Sequence, residues 1–280
     1  MKISAHVLVK NEARFIWYSV MSVINHVDKV RLVDTGSTDG TLEIIEELRK
    51  TPVGKEKIIF QKFKLDPFNE EVARQQMLDA TIEDWFIVID GDEIWWEDSI
   101  KAVTQMIHGK GNQYESIVVP TINVVGDMFH HQEEKAGLYK LAGRKGHYNL
   151  RAINRSIPGL KSLGEHGIWG WADEDNKMIQ DRDPGKILFV DAPYLHTTFL
   201  QRAGNVTDDK KVLKRAQKLK HEIGIPFPGD YYYPEVFFRE KPNIVKDVWQ
   251  NMPGSFYLQS IIETPLRKLK RRLLPPKVGY

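Results

Sequence analysis

Four short runs of apolar and β-branched residues, Ile3–Val9, Val30–Asp34, Lys57–Gln61 and Trp85–Asp90, alternate with segments of helical period in the first part of the chain. Between the first two runs, Ala13, Ile16, Trp17, Val20, Ile24 and Val27 fall on one stripe. Leu42, Ile45 and Leu48 do the same over Thr41–Lys50, as do Val72, Ala73, Met77 and Ala80 over Asn69–Ala80. Parallel strands need a long crossover, usually a helix, so this alternation predicts an α/β fold with a mostly parallel, doubly wound central sheet. Open sheets of that type bind ligands outside the carboxyl ends of their strands, where Asp34 and Asp90 fall.

The last of the four runs ends abruptly in acid, Asp90-Gly91-Asp92-Glu93. Carboxylates crowded at a strand end repel one another unless a partner neutralises them. A hard divalent cation carrying a phosphate-bearing ligand does so with oxygen ligands of this kind. The chemistry suggested is metal-assisted handling of a diphosphate. A calcium loop does not fit, because no Asp-Gly or Asn-Gly continues the pattern beyond Asp92.

The chain has 280 residues, 41% hydrophobic and 28% charged, which suits one main globular domain with elaborations. It has no cysteine, which excludes disulfides, thiolate metal sites and a cysteine nucleophile and suits a reducing cytoplasm. No apolar stretch approaches the roughly 18 residues that suggest a membrane span, and the first residues run straight into a strand pattern with no signal peptide apparent. A cytoplasmic protein is expected.

Beyond Ser116-Ile117-Val118-Val119-Pro120 the rhythm is lost, through Asp191. A helix is expected over Lys210–Ile223, followed by a break at Pro226-Phe227-Pro228-Gly229-Asp230. After Glu263 there is no acid, while Arg267, Lys268, Lys270, Arg271, Arg272 and Lys277 follow. Thr264-Pro265 reads as an N-cap with proline at the first helical position. Leu266, Leu269 and Leu273 then share a face opposite the basic residues. A peripheral contact with an anionic membrane, at the inner face of the cell membrane, and a helix packed on the domain are both open readings. Nucleic acid is not an expected partner, since the cluster carries no recognised reading motif.

The turn Asp34-Thr35-Gly36-Ser37-Thr38-Asp39-Gly40-Thr41, taken with Asp90-Gly91-Asp92-Glu93, resembles the family 2 glycosyltransferases, especially a bacterial branch that pairs these two motifs. Val9-Lys10-Asn11-Glu12 and Ala73-Arg74 extend the resemblance over most of residues 1–100. It implies a GT-A fold, the Rossmann-like fold of nucleotide-diphospho-sugar transferases, with a C-terminal helical extension. Residues 1–225 would form the catalytic domain, 1–125 its donor half and 126–225 its acceptor half, with 226–280 as the extension. It implies a nucleotide-diphospho-sugar donor, a glycan, lipid-linked or other hydroxyl acceptor, and Mn2+ or Mg2+. A role in cell-envelope or surface glycan synthesis is expected.

By that resemblance Asn11, Glu12, Asp34, Arg74, Asp90, Gly91 and Arg151 belong to the donor site. Asp39 serves either the nucleotide pocket or the cap of the following helix. Asp92 is the first candidate for a direct metal ligand, with Asp90 acting through water or on the ribose, and His196 adds a further metal or phosphate contact. Trp95 and Trp96 are candidate walls of a sugar site. Among the other central basic residues, Arg144, Lys145 and Arg155 are candidates for binding a diphosphate or an anionic acceptor.

Transfer with inversion needs a base for the acceptor hydroxyl. The resemblance points to Glu165, although the family places His before Glu and this chain has Glu165-His166. Asp173, in an acidic loop, is the alternative. Two rivals to a glycosyltransferase remain: a nucleotidyltransferase on a similar fold, and a nucleotide- or glycan-binding protein without turnover.

Overall fold

A computed structural model describes residues 1–63, 69–164, 169–212, 215 and 220–273. The four expected strands are present as β1 (Ile3–Val9), β2 (Lys29–Asp34), β3 (Ile58–Lys62) and β4 (Trp85–Asp90). They are joined by α1 (Ile16–Val23), α2 (Thr41–Lys50), the short α3 (Pro52–Lys57) and α4 (Glu70–Asp79). The stripe predicted to run to Val27 ends earlier as α helix and closes in a tighter turn over Ile24–His26. Asn69 caps α4 by accepting the Val72 N–H at 3.3 Å.

Five more strands complete the sheet: β5 (Glu93–Trp95), β6 (Ser116–Asn123), β7 (Tyr148–Asn154), β8 (Ile187–Phe189) and β9 (Tyr194–His196), with α5 (Glu97–Lys110) between β5 and β6. The order is β3-β2-β1-β4-β7-β6-β9-β5, with β8 also on β6. β1 to β4 are mutually parallel where they pair, and β7 enters antiparallel between β4 and β6. The architecture is therefore α/β with a mostly parallel central sheet, as expected.

Register decides which acids meet. Val9 is opposite Asp34 and Leu8 opposite Asp90, so both acids flank the end of β1. At the other side of the sheet β9 pairs with β5, putting His196 opposite Glu93. One face is covered by a core that includes Ile3, Val7, Ile16, Val20 and Ile45. The other carries Phe86, Val88, Ile153, Trp169 and Trp171.

Beyond the expected break at Pro226 the chain packs back on the main core. Val236, Phe237, Val245 and Val248 join the main core, and Trp96 Nε1 donates to the Tyr232 carbonyl at 2.9 Å. The helix expected over Lys210–Ile223 falls partly outside the described residues, with Arg215 helical within it. A short α6 spans Val206–Lys210, and residues 220–223 are irregular.

The C-terminal helix, α7, runs from Gly254 to Leu273 with Pro265 inside it. Thr264 is thus no N-cap. Its hydroxyl donates back to the Ser260 carbonyl at 2.6 Å and accepts the Ile223 N–H at 2.8 Å. A proline inside a helix forgoes one backbone bond, and the helix here continues through that loss.

Candidate active site

The loop after β2 turns on Asp34. Its Oδ1 accepts the N–H groups of Gly36 (3.0 Å) and Ser37 (3.1 Å), an Asx turn that Gly36 permits with φ 101°. The Asp39 carboxylate gathers three segments. Oδ1 accepts the N–H and hydroxyl of Thr41 (3.0 and 2.6 Å), while Oδ2 accepts the Ala13 N–H (3.2 Å) and the Gly204 N–H (3.0 Å). Thr41 extends the chain, since its hydroxyl accepts the Glu12 N–H at 2.8 Å. Asn11 sits in the left-handed region at φ 56°, accepting the Thr38 N–H at 2.7 Å and donating to the Asp208 carbonyl at 3.0 Å. Of the two roles open for Asp39, this geometry spends the carboxylate on the backbone.

The acids after β4 face guanidinium groups. Asp90 is held by Arg74 (Nη2–Oδ1 3.0 Å) and Arg151 (Nη2–Oδ2 3.4 Å). Burial pushes its carboxyl up, but Arg151 and Arg74 outweigh that and leave it below its ordinary value. Glu93, fully buried, is bonded by Arg151, whose Nε also donates to the Tyr194 hydroxyl at 3.1 Å. Burial raises Glu93 to about 7 against the pull of Arg151.

A second group forms around Asp92, which is 1% exposed. Arg202 bonds Asp92 and lies 3.4 Å from Glu12 Oε1, and Arg215 donates to the same Glu12 oxygen and to the Lys10 carbonyl at 2.9 Å. Burial raises Glu12 to about 7, opposed by Arg202 and Arg215. His196 Nε2 stands 3.5 Å from Asp92 Oδ2. Gly91 leaves room for this packing: a Cβ there would come 2.7 Å from Glu12 Cγ and 2.9 Å from Val9 Cγ1. Forked guanidinium donors gathered at a strand end are suited to phosphate oxygens as well as to carboxylates.

Residues 4–163, more than half of the chain, match the sequence profile described as Glycosyl transferase family 2. The chain belongs to that family. An uncharacterized glycosyltransferase of Rickettsia felis (strain ATCC VR-1525 / URRWXCal2) is 36% identical over 93 residues, which are 33% of this chain and 29% of that protein. The chain therefore spans less than a third of that relative's length. Among solved structures, S. aureus TarS 1–349 in complex with UDP-GlcNAc gives a TM-score of 0.46 at 17% identity, covering 70% of this chain and 58% of that one. Glucosyl-3-phosphoglycerate synthase from Mycobacterium tuberculosis in complex with Mn2+ and UDP-glucose gives 0.44 at 16%, covering 70% and 71%.

In this family 2 glycosyltransferase, Asn11, Glu12, Asp34, Arg74, Asp90, Gly91, Asp92, Arg151 and His196 converge on one edge of the sheet, as register requires. Asp173 does not join them. Its Oδ1 accepts the N–H groups of Asp175 (3.1 Å) and Lys177 (2.9 Å), and its other oxygen is bonded by Arg182. Arg182 also bonds Glu115, the residue before β6, so Asp173 lies at the opposite edge from Asp90. Glu165 lies outside the described residues. The chain before it ends at Gly164, whose N–H donates to Glu71 at 3.1 Å, and resumes at Trp169, whose ring lies 4.9 Å from the Arg74 guanidinium.

The tryptophans after β4 are packing residues rather than sugar walls. Trp95 is 1% exposed and stacks on Tyr194 with centroids 4.8 Å apart. Trp96 is buried and bonded to the chain at Tyr232. Of the other basic residues named from sequence, Arg144 stacks on Phe189 and Arg155 donates to the Glu83 carbonyl. A hollow of about 570 Å³ between Met1, Asp84, Trp85 and Arg155 opens at the far edge, away from the acids.

Among the described residues no three His, Cys, Asp or Glu side chains are grouped closely enough to hold an ion unaided. Mg2+ and similar ions are often held by one or two side chains with waters and substrate phosphates completing the shell. Asp92 and His196 fit that requirement. Arginines hold both acids in this structure, Arg74 and Arg151 on Asp90 and Arg202 on Asp92. Arg202, Arg215 and Tyr194 were not singled out from the sequence, since their partners Asp92, Glu12 and Arg151 are distant along the chain.

Proposed function

We propose that the chain moves a hexosyl unit from a nucleotide-diphospho-sugar to an acceptor hydroxyl, with inversion, in cell-envelope or surface glycan synthesis. The observation that carries this reading is the meeting of Asp92, His196 and three guanidinium groups, Arg74, Arg151 and Arg202, at the carboxyl edge beside Asp34. Asp92 and His196 would hold Mn2+ or Mg2+, which when bound stabilises negative charge on the departing diphosphate.

The chain's own residues have separate tasks in this scheme. Asn11 and Asp34 shape the loops that border the nucleotide. Arg202 neutralises Asp92 and Glu12 in the resting protein and supplies forked donors to the arriving phosphates. Arg151 and Arg74 keep Asp90 ionised and oriented toward the donor. Glu165 takes the acceptor proton as the new glycosidic bond forms and the bond to diphosphate breaks.

The test is a thermal-shift panel of UDP-, GDP- and dTDP-sugars with and without manganese. A ligand at a hundred times its dissociation constant adds about 2.7 kcal/mol of stability. One nucleotide class should raise the melting temperature in a manganese-dependent way, and Asp92→Asn should abolish that dependence. No shift across the panel would favour a protein without this donor chemistry; an unchanged manganese response in Asp92→Asn would refute the ligand assignment.

A further inference from the structure

The long C-terminal helix is amphipathic with its faces reversed. The side turned to the body carries Ser260, Thr264, Arg267 and Arg271, with Phe256 at its start. Ser260 is fully buried, Thr264 bonds Ile223, and Arg271 bonds Glu222 and lies 3.4 Å from Glu133. Phe256 packs on His221, with centroids 4.7 Å apart. The side turned to solvent carries Leu258 (66% exposed), Ile262 (70%), Leu266 (63%), Leu269 (53%) and Leu273 (71%).

These five recur at helical spacing and form one stripe about 22 Å long at 1.5 Å per residue. Tyr257 and Ile261, each close to half exposed, widen it on one side. Surface helices of globular proteins bury the apolar stripe and expose the polar one. An unbroken apolar stripe of this length on a soluble face marks an interaction site.

The charges beside the stripe choose the occupant. On a helical projection Lys268 and Lys270 fall on opposite flanks of the Leu258–Leu273 line, and both are exposed, Lys268 with its ammonium also 3.9 Å from Glu133. Glu263 is not on the stripe; it pairs with Arg267 at 2.7 Å. The chain after Glu263 contains no acid. An apolar stripe bordered by lysines matches an anionic bilayer surface, with the leucines among the acyl chains and the ammonium groups at headgroup level. A second copy of the same helix would bring lysines toward lysines. No described helix is long and apolar enough to cross a membrane, so the contact is one of lying on the surface.

We propose that the outer face of α7 seats the protein on anionic lipid. The helix packs beside Gly126, where a Cβ would come 2.8 Å from Met252 Cε and 3.3 Å from Phe256 Cε1. The loop carrying Gly126 leaves β6 beside His196, opposite Asn123 in the register. The inference concerns a face remote from the donor residues, and its test needs no donor.

The experiment is flotation of the full chain with vesicles of phosphatidylcholine alone and of phosphatidylcholine mixed with phosphatidylglycerol. Binding should be at least about tenfold tighter to the mixed vesicles and should weaken with salt. Ile262→Glu with Leu266→Glu should abolish it with unchanged melting temperature, because both side chains are exposed, and Lys268→Gln with Lys270→Gln should weaken it about tenfold or more. As a second readout, the cysteine-free chain accepts a unique Leu269→Cys carrying an environment-sensitive dye, whose emission should shift to the blue on vesicle addition. Absence of binding by the full chain, or undiminished binding by the Ile262→Glu and Leu266→Glu variant, would overturn the proposal. So would a concentration-dependent dimer, without vesicle binding, that the same variant disperses; that result would assign the face to a second copy.

Discussion

Replacing Asp39 by alanine separates two roles that a motif cannot distinguish. The carboxylate accepts four hydrogen bonds, from Ala13 N–H, Gly204 N–H, Thr41 N–H and the Thr41 hydroxyl. Bonds to a charged acceptor contribute about 1.5–3 kcal/mol each where buried, and their sum is not additive. Asp39 is only half-buried, so water can replace some of them. Thr41, however, is fully buried and cannot be rehydrated without movement. The expected cost of Asp39→Ala is about 3 kcal/mol, read as a lower urea midpoint at unchanged slope.

Asp39→Asn should cost nearly as much, because its amide NH2 would face the Ala13 and Gly204 N–H donors. Donor affinity, measured at a temperature where the variants are folded, should stay within about threefold, which is under 1 kcal/mol. A variant as stable as the parent that no longer binds donor would refute the reasoning and put Asp39 in the nucleotide pocket.

Arg202→Met removes the guanidinium bridging Asp92 and Glu12, and should destabilise the protein by about 3–5 kcal/mol, as breaking a buried pair does. If Asp92 binds the cation, manganese should raise the melting temperature of this variant more than that of the parent; equal responses would count against it. Gly91→Ala drives a methyl into Glu12 and Val9, and should cost about 1–3 kcal/mol and weaken donor binding in isothermal titration. Unchanged stability would show that this approach is slack.

Glu222 concerns the seat of α7. Burial pushes its carboxyl up, but its bonds with Arg271 and Gln132 outweigh this and hold it below its ordinary value. A depressed acid contributes stability above its unfolded pKa and loses it as pH falls through the folded value. Amide exchange in α7, corrected for intrinsic rates, should therefore accelerate in acid, and Glu222→Gln should flatten that dependence.

The first four strands and their helices were legible because each has a complete local signal: β-branched runs, a 3.6-residue stripe, or a cap such as Asn69. Their register then places Asp34 and Asp90 together without further information. β7 was not legible, because an antiparallel strand inserted between β4 and β6 answers to partners far away in sequence. The same limit hid Arg202 and Arg215, whose partners Asp92 and Glu12 are met only in three dimensions. The start of α7 was misread at Thr264-Pro265 because a proline at a first turn and one tolerated inside a helix look alike locally. Asp173 is placed apart for a different reason: an acid beside a turn was read for its charge, whereas Arg182 and the loop's N–H groups claim it.

The pairing of β9 with β5 and β6 has a consequence for how such a protein can vary. His196 is set opposite Glu93 and Asn123 by the ladders on either side, not by the length of chain between β6 and β9. Segments in that stretch that do not join the sheet can lengthen, shorten or be exchanged while the histidine keeps its distance from Asp92. The loops bordering this edge can thereby be rebuilt without moving the pair that His196 makes with Asp92.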